Sequence, residues 1–324
     1  MRKKGISIFL VIISAIALLC CAFSVYAVAK PKISYLAYLV GDRYIHVIDL
    51  SSFKEANKIP LGSAGSDMVF LPEKSTAYIA QPLSGIVSIM DVKKQKIVEK
   101  LKVGITCNNL AVTRTGKELI VTNLNGRNSV GIFSTLTMKM TGKALVGLNP
   151  RQVAISQDDK MAYVINSGAR TVSCIRMSDR KVMGDLPVGY NPIDIKVSPD
   201  NDAVLVSCLN SDDLYVIGVK DFALKKRVAD LGRPWGIEFS PWSNYVYLAS
   251  YENNCIMVID RKSWKVVRTI PLSASPTMLA LRPDGDYMIV ALEGGRLHSL
   301  RLTDFQVEKK IRIGERINDL VIGR

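Results

Sequence analysis

The feature that most constrains this chain is an internal repeat that restarts every 41–43 residues. Two consecutive copies, residues 146–187 and 188–230, both open with Val-Gly-x-Asn-Pro, continue with an alternating apolar run ending in Ser, and then pass a polar turn. The apolar residues that start successive copies are Leu61, Val103, Val146, Val188, Leu231, Leu272 and Ile313. Such a period, with no linker between copies, predicts one array of stacked structural units.

Each copy contains four short runs with the composition of β-strands. In the copy that starts at Leu231 these runs are GIEFS, YVYLAS, IMVID and VVRTIPL. They are about five residues long, rich in Val, Ile and Tyr, and bounded by Gly, Pro, Asn or Asp, which is typical of strands. Sustained helical periodicity is absent, apart from the apolar N-terminus. Four strands in about 40–45 residues correspond to one blade of a β-propeller.

The two ends of the repeat region supply the parts of one further blade. Residues 313–324 contain the opening turn and first strand of a copy, whereas residues 35–60 contain a second, third and fourth strand. Pairing these two segments would close the ring and remove an edge that could otherwise template aggregation. The sequence therefore predicts an all-β, seven-bladed β-propeller with four-stranded blades. Its blades start near 61, 103, 146, 188, 231 and 272, and the composite blade is 35–60 plus 313–324.

The copies resemble the YVTN-type β-propeller repeat. The family signature combines a Gly-x-x-Pro opening, Ser-Pro-Asp at the first turn and Tyr-Val-x-Asn in the second strand. Its elements stand here as Asn191-Pro192 with Ser198-Pro199-Asp200, as Tyr163-Val164-Ile165-Asn166, and as Val121-Thr122-Asn123. Two copies depart from it, because the first turn at 61–102 reads Leu-Pro-Glu and Cys107 replaces a proline. The resemblance covers about residues 35–324 and implies the fold and an exported location, but no single activity.

The N-terminus has the pattern of a secretory signal. Residues 1–29 begin Met-Arg-Lys-Lys, continue without a charge from Ile6 to Ala29, and end in Ala27-Val28-Ala29, a small-x-small cleavage site. The uncharged stretch of 24 residues is also long enough to span a bilayer, so an uncleaved membrane anchor is the alternative. Either interpretation predicts that the propeller, residues 30–324, lies outside the cytoplasm: periplasmic, at the cell surface or secreted.

The chain is strongly basic, and much of the charge falls on predicted outer strands and turns. Without the leader, 40 Lys and Arg stand against 29 Asp and Glu, a net charge of +11. The basic positions of the rim are Lys93, Lys94, Lys96, Lys100, Lys102, Lys225, Lys226, Arg227, Lys309, Lys310 and Arg312. A solvated rim is the simpler interpretation, and adhesion to an anionic envelope polymer or membrane surface is the alternative. No aromatic-and-basic recognition module interrupts the repeats, so we expect no nucleic-acid partner, and we expect a monomer.

Cysteine and histidine give little indication of chemistry. Four cysteines remain after the leader, none in a Cys-x-x-Cys pair or a zinc spacing, and we interpret them as buried free thiols. The only two histidines, His46 and His298, occupy the same third-strand position of adjacent blades. With no carboxylate assigned beside them, packing is favoured over a metal site.

Propeller topology predicts where a ligand would bind. The loops between fourth and first strands and between second and third strands share one face, and the first strands line the central channel. A non-repeating polar set on a repeating scaffold is what ligand binding requires, although mixed polar loops occur on any propeller. Counted from the proline, the first channel position reads Asp67, Asn108, Arg151, Ile193, Trp235, Thr277 and Asn318. The next position adds Gln152, Asp194 and Asp319.

Charged residues of the second-to-third strand loops are expected at the same rim. The arginines among these candidates could grip a carboxylate, sulfate or phosphate, and Trp235 could stack on a sugar or an aromatic ring. Deeper in the channel, Lys196 and Glu238 of adjacent blades are placed to pair. The predicted ligand-binding residues are Arg43, Asp67, Arg127, Arg151, Arg170, Asp194, Trp235, Glu252, Arg296, Asn318 and Asp319.

Motifs of the common catalytic classes are missing from the sequence: there is no Gly-x-Ser-x-Gly elbow, Walker loop or histidine-based zinc motif. The predicted function is therefore an exported scaffold that binds a protein, glycan or small anionic ligand on its loop face, without catalysis or cofactor. One alternative is a lactonase-like hydrolase whose divalent metal ion is held by Asp67, Asp194, Asp319 and Glu252. Another is a structural envelope protein that adheres through its basic rim.

Overall fold

The structure, a computed structural model, describes residues 34–73, 75–104, 107–123 and 128–323. In this part of the chain, 28 strands form seven four-stranded antiparallel sheets, and no helix is present. Each sheet is one blade, which confirms the predicted seven-bladed propeller. The described residues contain no helix that is long and apolar enough to cross a membrane. The predicted signal or anchor, residues 1–29, lies outside the described residues.

The blades are numbered here in the order of their innermost strands. Blade 1 contains β4 (Asp67–Phe70), β5 (Thr76–Gln81), β6 (Ile86–Asp91) and β7 (Lys96–Lys102). Blade 2 contains β8 (Cys107–Val112), β9 (Glu118–Asn123), β10 (Ser129–Ser134) and β11 (Met140–Leu145). Blade 3 contains β12 (Pro150–Ile155), β13 (Met161–Asn166), β14 (Thr171–Arg176) and β15 (Lys181–Pro187). Blade 4 contains β16 (Pro192–Val197), β17 (Ala203–Cys208), β18 (Asp213–Gly218) and β19 (Leu224–Val228).

The remaining blades complete the ring. Blade 5 contains β20 (Pro234–Phe239), β21 (Tyr245–Ser250), β22 (Cys255–Asp260) and β23 (Lys265–Pro271). Blade 6 contains β24 (Pro276–Leu281), β25 (Tyr287–Leu292), β26 (Arg296–Arg301) and β27 (Val307–Arg312). Blade 7 is composite: β28 (Asp319–Gly323) pairs with β1 (Leu36–Val40), followed by β2 (Tyr44–Asp49) and β3 (Lys54–Pro60). The β1–β28 pairing runs antiparallel from Leu36↔Gly323 to Val40↔Asp319, so the predicted closure is confirmed.

The core lies between the blades because both faces of the middle strands are covered. β17 of blade 4 is buried at all six residues, whereas the outer strand β3 of blade 7 is exposed at six of seven. One apolar cluster joins Leu205 of blade 4 to Ile237 and Leu248 of blade 5. At about 1.5–3 kcal/mol for each large apolar side chain removed from water, these clusters are the main force that stacks the blades. Many of the lysines that were assigned to a basic rim from the sequence lie on such outer strands.

Polar residues at the ends of second strands fasten the loops that frame the channel. Gln81 Nε2 donates to the carbonyl oxygens of Leu61 and Ser63, at 3.0 Å each. Ser250 Oγ donates to the carbonyl of Leu231 at 2.7 Å, which is the same contact in blade 5. Because buried carbonyls need donors, these two side chains hold the opening loops of blades 1 and 5 against their own blades.

The four cysteines and His46 are buried within the fold. Cys107, Cys174, Cys208 and Cys255 are free and buried, as the pattern predicted. His46 is 2% exposed, and its ring nitrogens contact the carboxylates of Glu55 and Glu315. The sequence assigned no carboxylate beside this histidine, and that was wrong, because Glu315 comes from the loop before β28. The contact ties the loop before β28 to strand β2 of the same blade.

Candidate functional site

The first strands of the blades surround a cavity of about 1020 Å³. Its opening is framed by second-to-third strand loops, such as 82–83 and 293–295, and by fourth-to-first strand loops, such as 64–66 and 314–318. The cavity is at the upper end of the range of about 300–1,000 Å³ found for small-molecule sites. It is the feature of the described residues best suited to hold a ligand.

Each inner strand has one edge without a strand partner, and the side chains that compensate for this form much of the cavity wall. Each inner strand pairs with a neighbour on one side only, so its other edge presents backbone N–H groups without a strand partner. Side-chain oxygens from the preceding blade accept hydrogen bonds from these groups. The contacts are Asp319 Oδ2 with Met68 N, 2.8 Å; Asp67 Oδ2 with Leu110 N, 2.7 Å; Asn109 Oδ1 with Val153 N, 2.9 Å; Gln152 Oε1 with Ile195 N, 3.2 Å; and Asp194 Oδ2 with Ile237 N, 2.7 Å.

This acceptor column (Asp67, Asn109, Gln152, Asp194 and Asp319) therefore links five of the seven blade junctions. The other two positions hold Gly236 and Met278, which have no acceptor. At Gly236 a side chain would not fit, since an added Cβ would lie 2.7 Å from the carbonyl oxygen of Thr277. Blades 5 and 6 thus approach each other directly where blades 1 to 5 are joined through side chains.

The sequence alignment placed Asp67 one position too early, beside Asn108 and Arg151. In the structure Asp67 is equivalent to Asn109 and Asp194, because it makes the same contact to the next blade. Blade 1 has no proline from which to count, and counting from Gly62 instead gives the observed column. Asn109, which the sequence did not single out, belongs to the column for the same reason.

The carboxylates of the channel are electrostatically perturbed. Burial raises the pKa of Asp67 well above its usual value, and the nearby charge of Asp319 raises it further. Burial also raises the pKa of Asp194, and it raises that of Asp319 to about 6. Lys196 compensates part of this negative charge, and its Nζ lies 3.6 Å from Glu238 Oε2, which confirms the expected pair. The charge of Glu238 raises the pKa of Lys196, so its ammonium stays protonated.

Arg151 projects positive charge into the cavity from blade 3. It is half-buried, and burial lowers the pKa of its guanidinium. The charge of Asp194 opposes this shift, whereas the like charge of Arg316, from the loop before β28, adds to it. No residue of the described ranges forms a hydrogen bond or an ion pair with the Arg151 guanidinium. Its carbonyl oxygen, by contrast, is held by Asn108 Nδ2 at 3.3 Å and Thr122 Oγ1 at 3.0 Å. The backbone of Arg151 is therefore fixed, while its guanidinium has only the more distant charge of Asp194 to balance it.

An aromatic wall stands on the blade 5 side of the cavity. The rings of Trp235 and Tyr251 lie with centroids 5.3 Å apart, tilted by 38°, and both line the cavity. A hydrogen bond to Glu293 raises the pKa of Tyr251, and Arg233 sits over the Tyr251 ring at 5.6 Å. Ser207 Oγ donates to the carbonyl of Trp235 at 2.7 Å. The Ser207 contact fixes the backbone of Trp235, and the contacts to Glu293 and Arg233 are made by the side chain of Tyr251.

Six of the predicted ligand-binding residues line this cavity: Asp67, Arg151, Asp194, Trp235, Asn318 and Asp319. Asn318 Nδ2 binds Asp42 Oδ1 and the carbonyl of Gly65, both at 2.9 Å, so it acts on the loop and not on open space. Arg127 lies outside the described residues. The others do not line the cavity: Arg43, Arg170, Glu252 and Arg296.

The expected group of arginines is therefore not assembled by the residues that the structure describes. Arg170 is exposed and stacks on Tyr190, with its guanidinium carbon 4.4 Å from the ring centroid. Arg43 is exposed, and its nearest carboxylate oxygen, Oε2 of Glu315, is 3.9 Å away. The sequence instead missed Arg316 and Tyr251. Both follow from the repeat once the loops on either side of each inner strand are aligned blade by blade.

The structure also bears on the two alternatives that the sequence left open, a metal site and a basic rim. Among the described residues, no group of three or more His, Cys, Asp or Glu side chains is arranged to hold a metal ion. The basic rim is partly paired: Lys94 with Asp91, Lys225 with Asp221, and Arg227 with the buried Asp213. Arg312, predicted at the rim, lines the cavity.

Comparisons with known proteins support the fold but identify neither a family nor a function. No protein-family model matches the chain, and no curated protein matches it in sequence. Hydrazine synthase of Kuenenia stuttgartiensis superposes with a TM-score of 0.69 at 17% identity, covering 85% of this chain and 90% of that one. A protein of unknown function from Desulfotomaculum acetoxidans DSM 771 gives a TM-score of 0.77 at 15% identity, covering 89% and 98%. Dihydro-heme d1 dehydrogenase NirN, in complex with DHE, gives 0.67 at 14%, covering 89% and 76%.

Proposed function

We propose that this protein is a non-catalytic binding propeller that takes a small anionic ligand into the mouth of its central channel. The observation that carries the proposal is Arg151, a half-buried cation that lines a cavity of about 1020 Å³ and whose guanidinium forms no hydrogen bond or ion pair with the described residues. A partly desolvated guanidinium is a strong donor that has lost hydrogen bonds to water and has no hydrogen bond from the described residues in their place. A carboxylate, sulfate or phosphate would satisfy it in a bidentate manner.

The position of Arg316 supports the same ligand. Its charge acts on Arg151 from the opposite side of the ring, and both residues line the cavity. Like charges that face each other destabilise the empty site, and an anion between them removes that repulsion. Each charge-assisted hydrogen bond contributes about 1.5–3 kcal/mol, so one such bond from each arginine corresponds to roughly millimolar binding, and bidentate contacts would strengthen it further.

The carboxylates of the channel are assigned to the scaffold and not to catalysis. Raised pKa values, as at Asp67, Asp194 and Asp319, are what a general acid requires, and they are the observation that favours the hydrolase alternative. Each of these side chains, however, already binds a backbone N–H of the next blade. Reorienting any of them for chemistry would break a blade junction.

The site of action that we propose is outside the cytoplasm. The support is the sequence of residues 1–29, with its basic start, uncharged apolar stretch and small-x-small end. In that setting the ligand is a solute or the end of an envelope polymer. The adhesive role of the basic rim is a separate proposal, and neutralising the rim lysines tests it by loss of salt-sensitive retention.

Isothermal titration of the full chain, purified in mild detergent, with phosphate, sulfate and citrate tests the binding function. We expect at least one of these anions to bind, and Arg151→Gln to weaken it by at least about tenfold, which is about 1.4 kcal/mol. The matched control is Arg268→Gln, an exposed arginine of the outer strand β23. The proposal fails when all three anions bind more weakly than about 10 mM, or when the two variants lose affinity equally.

A further inference from the structure

The aromatic wall shows what kind of group would lie beside the bound anion. Trp235 and Tyr251 line the cavity together with their ring centroids 5.3 Å apart; Trp235 also packs on an apolar cluster, and Tyr251 contacts Glu293 and Arg233. The face of an aromatic ring carries negative charge density, which attracts polarised C–H groups as well as other rings. A wall of this kind therefore suits the flat C–H face of a sugar ring, or an aromatic ring.

The polar groups of the cavity separate these two options. Asp67 uses Oδ2 for Leu110 N, and its Oδ1 receives no hydrogen bond from the described residues. Asn108 Nδ2 donates to the backbone carbonyl of Arg151, whereas Asn108 Oδ1 has no donor in the described ranges. Gln152 accepts through Oε1, and its Nε2 has no acceptor there. All three residues line the cavity. A hydroxyl group both donates and accepts, so a polyhydroxylated ligand matches this mixture.

We infer that the ligand is an acidic sugar, a pyranose ring that carries a carboxylate, either free or at the end of a short uronate oligosaccharide. The inference rests on the proposed anion site and names its ligand class. The carboxylate lies at Arg151 and Arg316, the C–H face lies on Trp235, and hydroxyls bind Asp67, Asn108 and Gln152. The volume of about 1020 Å³ leaves room for more than one ring.

Ligands of other chemical classes satisfy only part of this site. An aromatic carboxylate would use Arg151 and Trp235, but it would leave the free oxygens of Asp67 and Asn108 without donors in a partly desolvated cavity. A neutral sugar would supply the hydroxyls but no carboxylate to pair with the Arg151 guanidinium. Inorganic anions and citrate would use the arginines alone.

The test is a titration of the full chain with four probes: trigalacturonate, the neutral galactotriose, indole-3-acetate and citrate. We expect trigalacturonate to bind at least tenfold more tightly than each of the other three. If citrate binds but trigalacturonate is no tighter, the acidic-sugar inference fails while the anion site stands. If indole-3-acetate is the tightest, the ligand is an aromatic acid and the inference is wrong. If neither citrate nor trigalacturonate binds, both proposals fall.

Two variants test the residues that carry the inference. Trp235→Leu keeps an apolar side chain but removes the ring face, and we expect it to weaken trigalacturonate at least tenfold and citrate less than threefold. Its control is Trp242→Leu, at an exposed tryptophan (59%) in the turn between β20 and β21, outside this cavity. Asp67→Asn keeps an acceptor for Leu110, as Asn109 does for Val153, and should weaken trigalacturonate alone. Equal losses for both ligands in Trp235→Leu would contradict the stacking role.

Discussion

Asp319 offers the sharpest test of the channel electrostatics, through replacement by asparagine. Asparagine keeps an acceptor for Met68 N, and the chain already uses that arrangement at Asn109, whose Oδ1 accepts from Val153 N at 2.9 Å. The substitution therefore removes the titrating charge of the closing strand without removing the blade junction. We expect Asp319→Asn to fold and to be more stable than the wild-type chain at alkaline pH.

The magnitude follows from the raised pKa. Burial shifts the Asp319 carboxyl from 3.8 to about 6, and each pKa unit corresponds to about 1.36 kcal/mol. The folded state thus retains a proton that the unfolded state has released, and stability falls as pH rises from about 4 to 6. Above that range the charged carboxylate destabilises the fold by up to about 3 kcal/mol. The pKa of Asp67 is raised partly by the same charge, so the effect of the substitution on it has the same sign.

Urea denaturation followed by circular dichroism at pH 4.5 and pH 8 measures this effect. We expect Asp319→Asn to be more stable than the wild type by about 1 kcal/mol at pH 4.5 and by about 3 kcal/mol at pH 8. Asp319→Ala, which removes the acceptor, should lose about 1–3 kcal/mol at pH 4.5. The exposed Asp202→Asn is the control for charge alone. An equal effect of Asp319→Asn at both pH values, or a loss at pH 8, would refute the reasoning.

Two further substitutions test the packing of the channel. Gly236→Ala should lower the free energy of unfolding in urea by about 2 kcal/mol or more, because the added Cβ would meet the carbonyl of Thr277 at 2.7 Å. In the control Gly184→Ala the added Cβ would have no atom within 4 Å, so this change should be neutral or stabilising by up to about 1 kcal/mol. A similar loss in both would contradict the close approach of blades 5 and 6. Lys196→Met leaves the channel carboxylates without the ammonium of Lys196, so we expect it to lose about 1 kcal/mol more stability at pH 8 than at pH 5. The value is small because Lys196 is nearly half-exposed. Equal losses at the two pH values would show that the ammonium does not stabilise the carboxylates.

The architecture could be predicted from the sequence because the signal repeats. A strand pattern that recurs at each 41–43-residue step, with complementary fragments at the two ends, leaves the closed seven-bladed ring as the natural interpretation. The Lys196–Glu238 pair could be predicted for the same reason, since adjacent blades place equivalent positions side by side.

The site was harder to predict because it depends on departures from the repeat. Asp67 was misaligned by one residue, since blade 1 lacks the proline used for counting, and its bond to Leu110 became visible only in three dimensions. The direction of an exposed side chain was also not predictable, as at Arg170, which turns outward to Tyr190. His46 meets Glu315 across 269 residues of sequence, a separation over which no local pattern gives information.

A crystal structure of the full chain grown with citrate tests the central claim most directly. The account predicts electron density for a citrate carboxylate in the channel cavity, with an oxygen within about 3 Å of the Arg151 guanidinium. Arg316 is expected on the opposite side of the same group. A cavity that holds no citrate, while citrate binds at the outer lysines, would contradict the assignment of the channel mouth as the binding site.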